Sequence, residues 1–481
     1  MQHKSNDIND LFSGKDIYPL DNLSKSNRWV ILADNMCWSD IEAEYNKRLK
    51  NQKSGAGNKP ARLVIGALII KHLTCLSDEE TIVTISENPY MQYLVGLKYF
   101  TSNPICSPEL FVHVRKRIDD KFFNTLTQSL EKKHSDKDKD NSDGNAPISA
   151  DESTITIDED NQKHSGVMKI DATCTDAEVR YPTDVYLIED ASREIERLSQ
   201  KLCARNGMKQ QKSNRGNVRS AFVLFLKKKH KGTKLVNSTK ERMLHFLSLD
   251  IKHFTDLIGR VSTDVFKCFN RTDIRNFKTL KIVFEQQKMM FKEKVHSCLN
   301  RIVSIFQPHI RPIVRGKAKA KVEFGAKVGL SVVDGYSYVD HVSWDAYNES
   351  SDMLLQIELY RERFGYYPQE IQADKIYLNK QNRAALKRLH IDCHCSPLGR
   401  PPKITDPQAI EERRKASASR NEVEAAFGTA KRIFRANNIR AKLPETSLSW
   451  IGACFYAKNL KKFLKELLWL IFQIMSQNKL R

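Results

Sequence analysis

Three charged residues late in the chain share one side of a predicted helix. Arg420, Glu424 and Lys431 stand at positions i, i+4 and i+11, and a period of 3.6 residues per turn brings them close to one stripe. Such a helix needs a second, apolar stripe to pack against a core. That stripe consists of Val423, Phe427, Ala430 and Phe434. On its own, the charged stripe also fits a plain surface helix with one ion pair.

Two aspartates far from this helix could bring further carboxylates to it. Asp171 closes the alternation of apolar and polar residues in 167–172, so it is predicted to end a first strand. Asp374 is predicted to end a later, short strand. Three carboxylates from distant elements can hold two Mg²⁺ ions about 4 Å apart, because Mg²⁺ prefers hard oxygen ligands and keeps several waters. Asp171, Asp374 and Glu424 are therefore candidate ligands for Mg²⁺, or for Mn²⁺ in its place.

A metal site of this kind would serve phosphodiester chemistry. One ion would activate a water or a 3′-hydroxyl group, and the other would steady the leaving oxygen. Other acids compete for the same roles. Asp176 and Asp184 are alternatives to Asp171. Glu422 is an alternative to Glu424, although a position two residues away lies about 200° round the helix. A lone Asp at the end of a strand is also a common turn or cap residue.

The part of the chain before these acids is predicted to be helical. Residues 1–28 form a polar lead-in, and residues 29–130 carry helical periodicity broken by turn signals such as Asn88-Pro89. This region is predicted to be a helix-turn-helix type DNA-binding domain; a helical packing or dimerisation domain is the alternative. The charged, glycine-containing residues 131–160 are predicted to be a flexible linker. The basic residues of the last helical segment are His113, Arg115, Lys116 and Arg117.

From residue 161 the order of elements predicts an α/β domain. The pair Asp334-Gly335 between alternating segments predicts a β-hairpin. The segment from about residue 190 to about residue 320 is predicted to be a basic helical insert. With this insert taken out, the strands and helices follow the order of the ribonuclease H-like α/β fold. The predicted domain ends at 465, and residues 466–481 are predicted to be a C-terminal tail.

The charge of the chain predicts a polyanionic partner. Its formal net charge is +21, and nucleic acid is the simplest partner for such an excess. Residues 201–240 contain twelve Lys and Arg and no acid, and they are predicted to contact phosphates; a solvated loop is the alternative. The candidate contacts in this segment are Lys227, Lys228, Lys229 and Lys231. The sequence has no apolar run of transmembrane length and no signal-peptide core, which predicts a cytoplasmic protein that does not bind membranes.

Several stretches together resemble a bacterial insertion-sequence DDE transposase of the insertion-sequence-five superfamily type. The family's last signature is an Arg, three residues, a Glu, six residues and a Lys, which Arg420, Glu424 and Lys431 match. The Tyr that usually precedes this Arg by three residues is replaced by Ser417. The resemblance covers roughly residues 30–130 and 160–465. The other matching stretches are IDATCTDAEVRYPTD, VRGKAKAKVEFGAKVGLSVVDGY, WDAYNES, ADKIYLNKQNR and LGRPPK.

This resemblance implies roles for individual residues. It implies that Asp171, Asp374 and Glu424 bind the two metal ions, and that Arg420 and Lys431 contact DNA near the scissile phosphate. Tyr377 and Asn382 would support the site. The basic loop at 398–403 adds Arg400 and Lys403 as candidate DNA contacts.

The resemblance also implies partners and an activity. The partner would be double-stranded DNA, both the element's ends and the target, and a homodimer would form in the DNA complex. The protein would bind the terminal repeats of its own element, cut phosphodiesters and join the ends to new DNA. The alternatives are a ribonuclease H-like nuclease without strand joining, and a catalytically silent or domesticated protein that only binds specific DNA.

Overall fold

The computed structural model describes residues 19–49, 57–140, 156–157, 162–210, 212–261, 265–314, 322–394 and 407–478. The chain divides into two compact units. The first unit comprises Met1–Asp176, Lys327–Ser343 and Tyr347–Arg481, and the second comprises Ala177–Ala326 and Trp344–Ala346. The fold is mixed α/β, mostly helical, with a mixed sheet.

Helices open the first unit, as their periodicity predicted. The predicted turn at Asn88-Pro89 is a helix start: Asn88 caps the helix by accepting from Met91 N, and Pro89 takes the first helical position. The segment predicted as a linker from Glu131 begins in a helix, because the last helix continues to Asp140; the four lysines between 131 and 140 are good helix formers. The bounds are α1 (Arg28–Asn35), α2 (Trp38–Asn46), α3 (Ala61–Thr74), α4 (Asp78–Glu87), α5 (Pro89–Leu94), α6 (Glu109–Arg115) and α7 (Asp120–Asp140).

The strands form a small pair and a mixed sheet. Their bounds are β1 (Thr156–Ile157), β2 (Lys163–His164), β3 (Val167–Asp176), β4 (Arg311–Val314), β5 (Val322–Val333), β6 (Tyr336–Ser343) and β7 (Glu370–Gln372). In the sheet β5 lies beside β3, and β3 pairs in parallel with β7. β5 and β6 form the predicted hairpin. Asp334 and Gly335 have φ values of 46° and 76°, the left-handed backbone that a two-residue hairpin turn requires.

The strand that carries Asp171 is longer than predicted. Asp171 does not end β3, which continues to Asp176. The parallel pairing with β7 stops earlier, at Lys169 and Gln372. Asp374 likewise lies two residues beyond the end of β7 rather than at its last residue. After α-helical residues that follow Asp374, the chain returns to β7 at a bridge between Glu370 and Asp392.

Helices dominate the second unit, which contains most of the segment predicted as a helical insert. They are α8 (Asp184–Arg205), α9 (Arg215–Lys227), α10 (Thr233–Arg260), α11 (Val265–Cys268) and α12 (Arg271–Glu293). Their apolar faces meet in a core of their own. In this unit β4, which the sequence did not predict, pairs with the first residues of β5.

Four helices complete the first unit within its described residues. They are α13 (Met353–Phe364), α14 (Lys380–Arg388), α15 (Pro407–Arg432) and α16 (Pro444–Asn478). The segment predicted as a tail from Glu466 therefore continues α16 as far as Asn478. Across the described residues, every helix is too short or too polar to cross a membrane.

A large hydrophobic core in the first unit joins its N-terminal helices to its sheet. It joins residues of the N-terminal helices, such as Phe122, to sheet residues such as Met168 and Ile170. The boundary predicted near residue 130 is therefore not a boundary between compact units. Two amides anchor β6 to the helices: Asn124 of α7 bonds both backbone groups of Val339, and Asn459 of α16 bonds both backbone groups of Ser337.

Candidate active site

The sheet and α15 bring Asp171 and Asp374 to one edge. Each acid stands two residues beyond the last parallel pair, Lys169 and Gln372. Neighbouring parallel strands run in step, so this register delivers both carboxylates to the same end of the ladder. α15 packs against both β3 and β7. Lys169, on the same face of β3 as Asp171, pairs with Glu422 of α15.

One guanidinium joins the first and third predicted acids. Arg420 Nη1 lies 3.4 Å from Asp171 Oδ2, and Arg420 Nη2 lies 3.2 Å from Glu424 Oε1. Asp171 and Glu424 thus contact different nitrogens of the same guanidinium. The other Asp171 oxygen, Oδ1, accepts a hydrogen bond of 2.8 Å from its neighbour's backbone N–H, that of Ala172. The apolar stripe of α15 is buried as predicted: Val423, Phe427, Ala430 and Phe434 are each less than 8% exposed.

Burial raises the pKa of Asp171. The Asp171 side chain is 18% exposed, whereas the Glu424 side chain is 57% exposed. Loss of solvation raises the pKa of Asp171 to about 6, and the carboxylates of Glu349 and Asp374 push the pKa in the same direction. The Ala172 N–H and the Arg420 charge oppose this shift. A cation near Asp171 therefore stabilises its ionised form.

Asp374 stands at the start of a short 3-10 helix, Lys375–Tyr377. Its Oδ1 accepts a hydrogen bond of 2.7 Å from Lys375 N, which fixes the carboxyl group at the cap of this turn. Asp374 itself is exposed. The turn presents its carboxylate to solvent beside the largely buried Asp171.

A fourth acid, Glu349, was not singled out from the sequence. It begins a 3-10 helix, Glu349–Ser351, and its carboxylate acts on the pKa of Asp171 ahead of that of Asp374. Lys327 Nζ lies 3.1 Å from Glu349 Oε2, so the negative charge of Glu349 is partly compensated. The available signal was the stretch WDAYNES, which ends one residue after Glu349 and already contributed to the resemblance.

Asn382 and Tyr377 hold these turns together. Asn382 Nδ2 donates to Ser350 O at 2.8 Å and to Tyr377 O at 2.6 Å. This amide therefore ties the turn that begins at Glu349 to the turn that follows Asp374. The Tyr377 side chain is fully buried, and its pKa is raised, first by burial and then by the charges of Glu349 and Asp171. Its hydroxyl has no hydrogen-bond partner among the described residues.

Two of the three competing acids form ion pairs away from Asp171. Glu422 pairs with Lys169 on the sheet. Asp184 begins α8 in the second unit, where it pairs with Lys240 at 2.7 Å and with Arg301 at 2.8 Å. Asp176 ends β3, and its carbonyl accepts from Ile439 N. The ion pairs of Asp184 and Glu422 give both acids structural roles in the fold.

The basic residues predicted to contact DNA differ in their exposure. Lys431 lies in the last turn of α15 and is half-buried. Arg400 and Lys403 lie outside the described residues. Among the basic residues of the N-terminal region, Arg115 is 5% exposed and bonds Asp78 through two nitrogens. His113, Lys116 and Arg117 are exposed.

The basic segment 201–240 is partly neutralised by other elements. Lys201 pairs with Asp273, Arg215 with Glu189, and Lys240 with Asp184. Although the segment itself has no acid, folding brings acids of α8 and α12 to these three residues. The four lysines predicted to contact phosphates differ, since all four are exposed and pair with no acid in the described part of the chain. They are Lys227, Lys228, Lys229 and Lys231.

The donor set fits a hard divalent cation. The predicted ligands offer only carboxylate oxygens, which Mg²⁺ and Mn²⁺ prefer. The Arg420 guanidinium already occupies the space between Asp171 and Glu424, which shows that a positive charge is accommodated there. The exposed Asp374 and Glu424 leave the site open on the solvent side.

Comparison with known proteins gives two matches to family models. Residues 371–461 match a transposase DDE domain, and residues 18–117 match a transposase domain (DUF772). The first match contains Asp374, Arg420 and Glu424. No curated protein and no solved structure matches the chain. The two matched segments support a DDE transposase and indicate an activity of the polynucleotidyl transferase type. Transposases act on DNA, and those with a DDE domain generally use divalent metal ions.

Proposed function

We propose that this protein is the transposase of a bacterial insertion sequence of the insertion-sequence-five superfamily type. It binds the terminal repeats of its element, cleaves phosphodiesters in a metal-dependent reaction and joins the ends to target DNA. The observation that carries the proposal is the bridge that Arg420 forms between two acids. Asp171 lies 249 positions from Arg420 in the sequence, and Glu424 lies four positions from it. The catalytic part takes a ribonuclease H-like fold, and the protein acts in the cytoplasm, at the nucleoid, as a homodimer on DNA.

The proposed roles follow from position and charge. Asp171, Asp374 and Glu424 would hold two divalent cations. When bound, these ions lower the pKa of an attacking water or hydroxyl and steady the leaving oxygen. Asp171 would be the most shielded ligand, because its side chain is 18% exposed, so it would be held away from competing water.

The surrounding side chains would orient the substrate and the turns. Arg420 and Lys431 are both half-buried on α15, and their charges would meet phosphates there. Asn382, through its bonds to Ser350 O and Tyr377 O, keeps the turn after Asp374 in place. Tyr377 fills the space below that turn.

A cleavage and joining experiment tests the proposal. Labelled duplexes carrying the DNA that flanks the gene are incubated with protein and Mg²⁺ or Mn²⁺, and the products are separated on gels. We expect cutting at the element ends and joined products. Asp171→Asn, Asp374→Asn and Glu424→Gln should each abolish cutting and leave duplex binding largely intact, because each removes ligand oxygen that the metals cannot replace.

The matched control is Glu411→Gln, on the same helix, whose side chain is 45% exposed and whose partner is Arg414. This variant should cut like the wild type. Cutting without joining would instead favour the nuclease, and specific binding without any cutting would favour a silent DNA-binding protein. If one of the three acid variants cut at the wild-type rate, the ligand role of that residue would be wrong.

A further inference from the structure

A second basic feature follows the candidate active-site helix. Four cations lie on the last residue of α15 and on the connection that leads from it to α16. Residues 431–442 contain no acid. All four are exposed. Their members are Arg432, Arg435, Arg440 and Lys442, and we call them the basic connection.

The backbone under these cations is held firmly. Ile439 N donates to Asp176 O at 2.9 Å, which joins the connection to the end of β3. Cys75 Sγ donates to Ile433 O at 3.1 Å. Between the cations, Phe434, Ala436 and Ile439 are at most 3% exposed. The chain thus buries its apolar residues and points its cations outward, so binding a ligand here would order little additional backbone.

The ends of a helix do not account for this charge. Cations in the last helical turn offset the helix dipole, which is sufficient reason for Arg432. The effect falls off within one turn, and Arg440 and Lys442 lie well beyond the end of α15. Neither Arg435 nor Lys442 pairs with an acid in the parts of the chain that the structure describes. A bound polyanion would therefore relieve the repulsion among the positive charges of the basic connection.

We propose that the basic connection binds the phosphates of the DNA strand that leads away from the cleavage site. This inference rests on the proposed function. Glu424 and Lys431 are seven residues apart on α15, which is about 10 Å of helix. DNA rises about 3.4 Å per base pair. The basic connection begins beyond Lys431, so on DNA that runs along α15 its contacts would start about three base pairs from the scissile phosphate.

Arg435 provides a variant that removes charge without removing structure. Its φ is 58°, a left-handed conformation that costs an Arg more than a Gly. Arg435→Gly should therefore leave the melting temperature unchanged or raise it. Arg435→Asn is a second variant that tolerates this conformation. A role of the Arg435 side chain in stability would instead lower the melting temperature in both variants.

The test measures the affinity of the protein for duplexes that carry the element ends, over a series of salt concentrations. The same measurement is repeated with duplexes in which one phosphate at a time is replaced by a neutral methylphosphonate. We expect Arg435→Gly to lower the slope of log affinity against log salt by about 0.9. Replacing all four cations should lower it by up to about four times as much. A methylphosphonate three or more base pairs from the cut should weaken wild-type binding and have no further effect on the variants.

The control is Arg388→Gln, another exposed Arg in the same unit, on α14. An unchanged slope in both Arg435 variants, with a wild-type pattern of methylphosphonate effects, would overturn the proposal while wild-type cleavage still upheld the proposed function. If the wild type neither bound nor cut the duplexes, the basic connection and the proposed function would both be rejected.

Discussion

At the scale of single residues, Arg420 holds the candidate site together through two modest contacts. Its bonds to Asp171 and Glu424 measure 3.4 and 3.2 Å, at the long end for N–H···O hydrogen bonds. Long contacts exchange readily for better partners. The guanidinium can therefore act as the internal counter-ion of the acids and give way when a divalent cation takes its place.

This balance predicts that Arg420→Gln strengthens metal binding. Removing a positive charge a few ångströms from two carboxylates should tighten Mn²⁺ binding by roughly tenfold or more. Cleavage should fall in the same variant, because Gln cannot replace the charge that Arg420 offers to a phosphate. Titration calorimetry with Mn²⁺ measures the affinity, and Arg414→Gln on the exposed part of the same helix is the control. Weaker Mn²⁺ binding would show that Arg420 positions the acids instead of competing with metal.

At the scale of elements, α7 meets the sheet through a buried acid. Glu131 of α7 hydrogen-bonds the hydroxyl of Tyr338 on β6. Burial raises the pKa of Glu131 to about 7, an effect that the bond from Tyr338 opposes. The folded protein therefore binds this proton more tightly than the unfolded chain does.

The raised pKa predicts a pH-dependent loss of stability. The contribution of Glu131 is fully favourable below pH 4.5, the ordinary value for the unfolded chain, and is lost as the pH rises from there to about 7. The loss is on the order of 3 kcal/mol at most. Glu131→Gln should escape it, so its free energy of unfolding relative to wild type should rise between pH 5 and pH 8. Urea denaturation at both pH values measures this.

The control for that comparison is Glu79→Gln, an exposed position on α4. It changes the same charge without touching the interface between α7 and β6. A pH response equal to that of Glu131→Gln would mean that net charge, rather than the buried position of Glu131, controls the effect.

At the scale of the whole molecule, the net charge is +21, and the cations behind it differ in whether they form ion pairs. In the second unit, ion pairs use Lys201, Arg215 and Lys240. The lysines at 227–229 and 231 remain exposed. They belong to the part of the basic segment that is exposed and free to meet phosphates.

Neutralising these four lysines with Gln should weaken DNA binding with little dependence on sequence. The slope of log affinity against log salt should fall by about 0.9 for each phosphate that the variant no longer neutralises. Folding should survive, because all four side chains are exposed. Affinities for specific and scrambled duplexes across a salt series provide the measurement.

A matched variant separates local contact from total charge. Lys278, Lys281, Lys288 and Lys292 are also exposed and lie along α12 in the same unit. Their replacement by Gln changes the net charge equally. If both sets lowered the slope by the same amount, the segment 227–231 would have no particular role in DNA binding.

The sequence alone determined the features that depend on neighbours along the chain. The two stripes of α15 follow from helical periodicity, and the burial of Val423 and Phe427 confirms the apolar one. The turn at Asp334-Gly335 follows from the backbone freedom of those residue types. These signals are local, because the side-chain directions of a helix or strand repeat within a few residues.

Only the tertiary structure decided which distant groups meet. Asp171 lies within β3 and not at its end, because the length of a strand depends on the neighbours it pairs with. Glu349 comes near Asp171 through a turn that Asn382 holds in place. The N-terminal helices share their core with the sheet, since α16 packs on α3, α6, α7 and β6. Such contacts join residues hundreds of positions apart, and local periodicity carries no information about them.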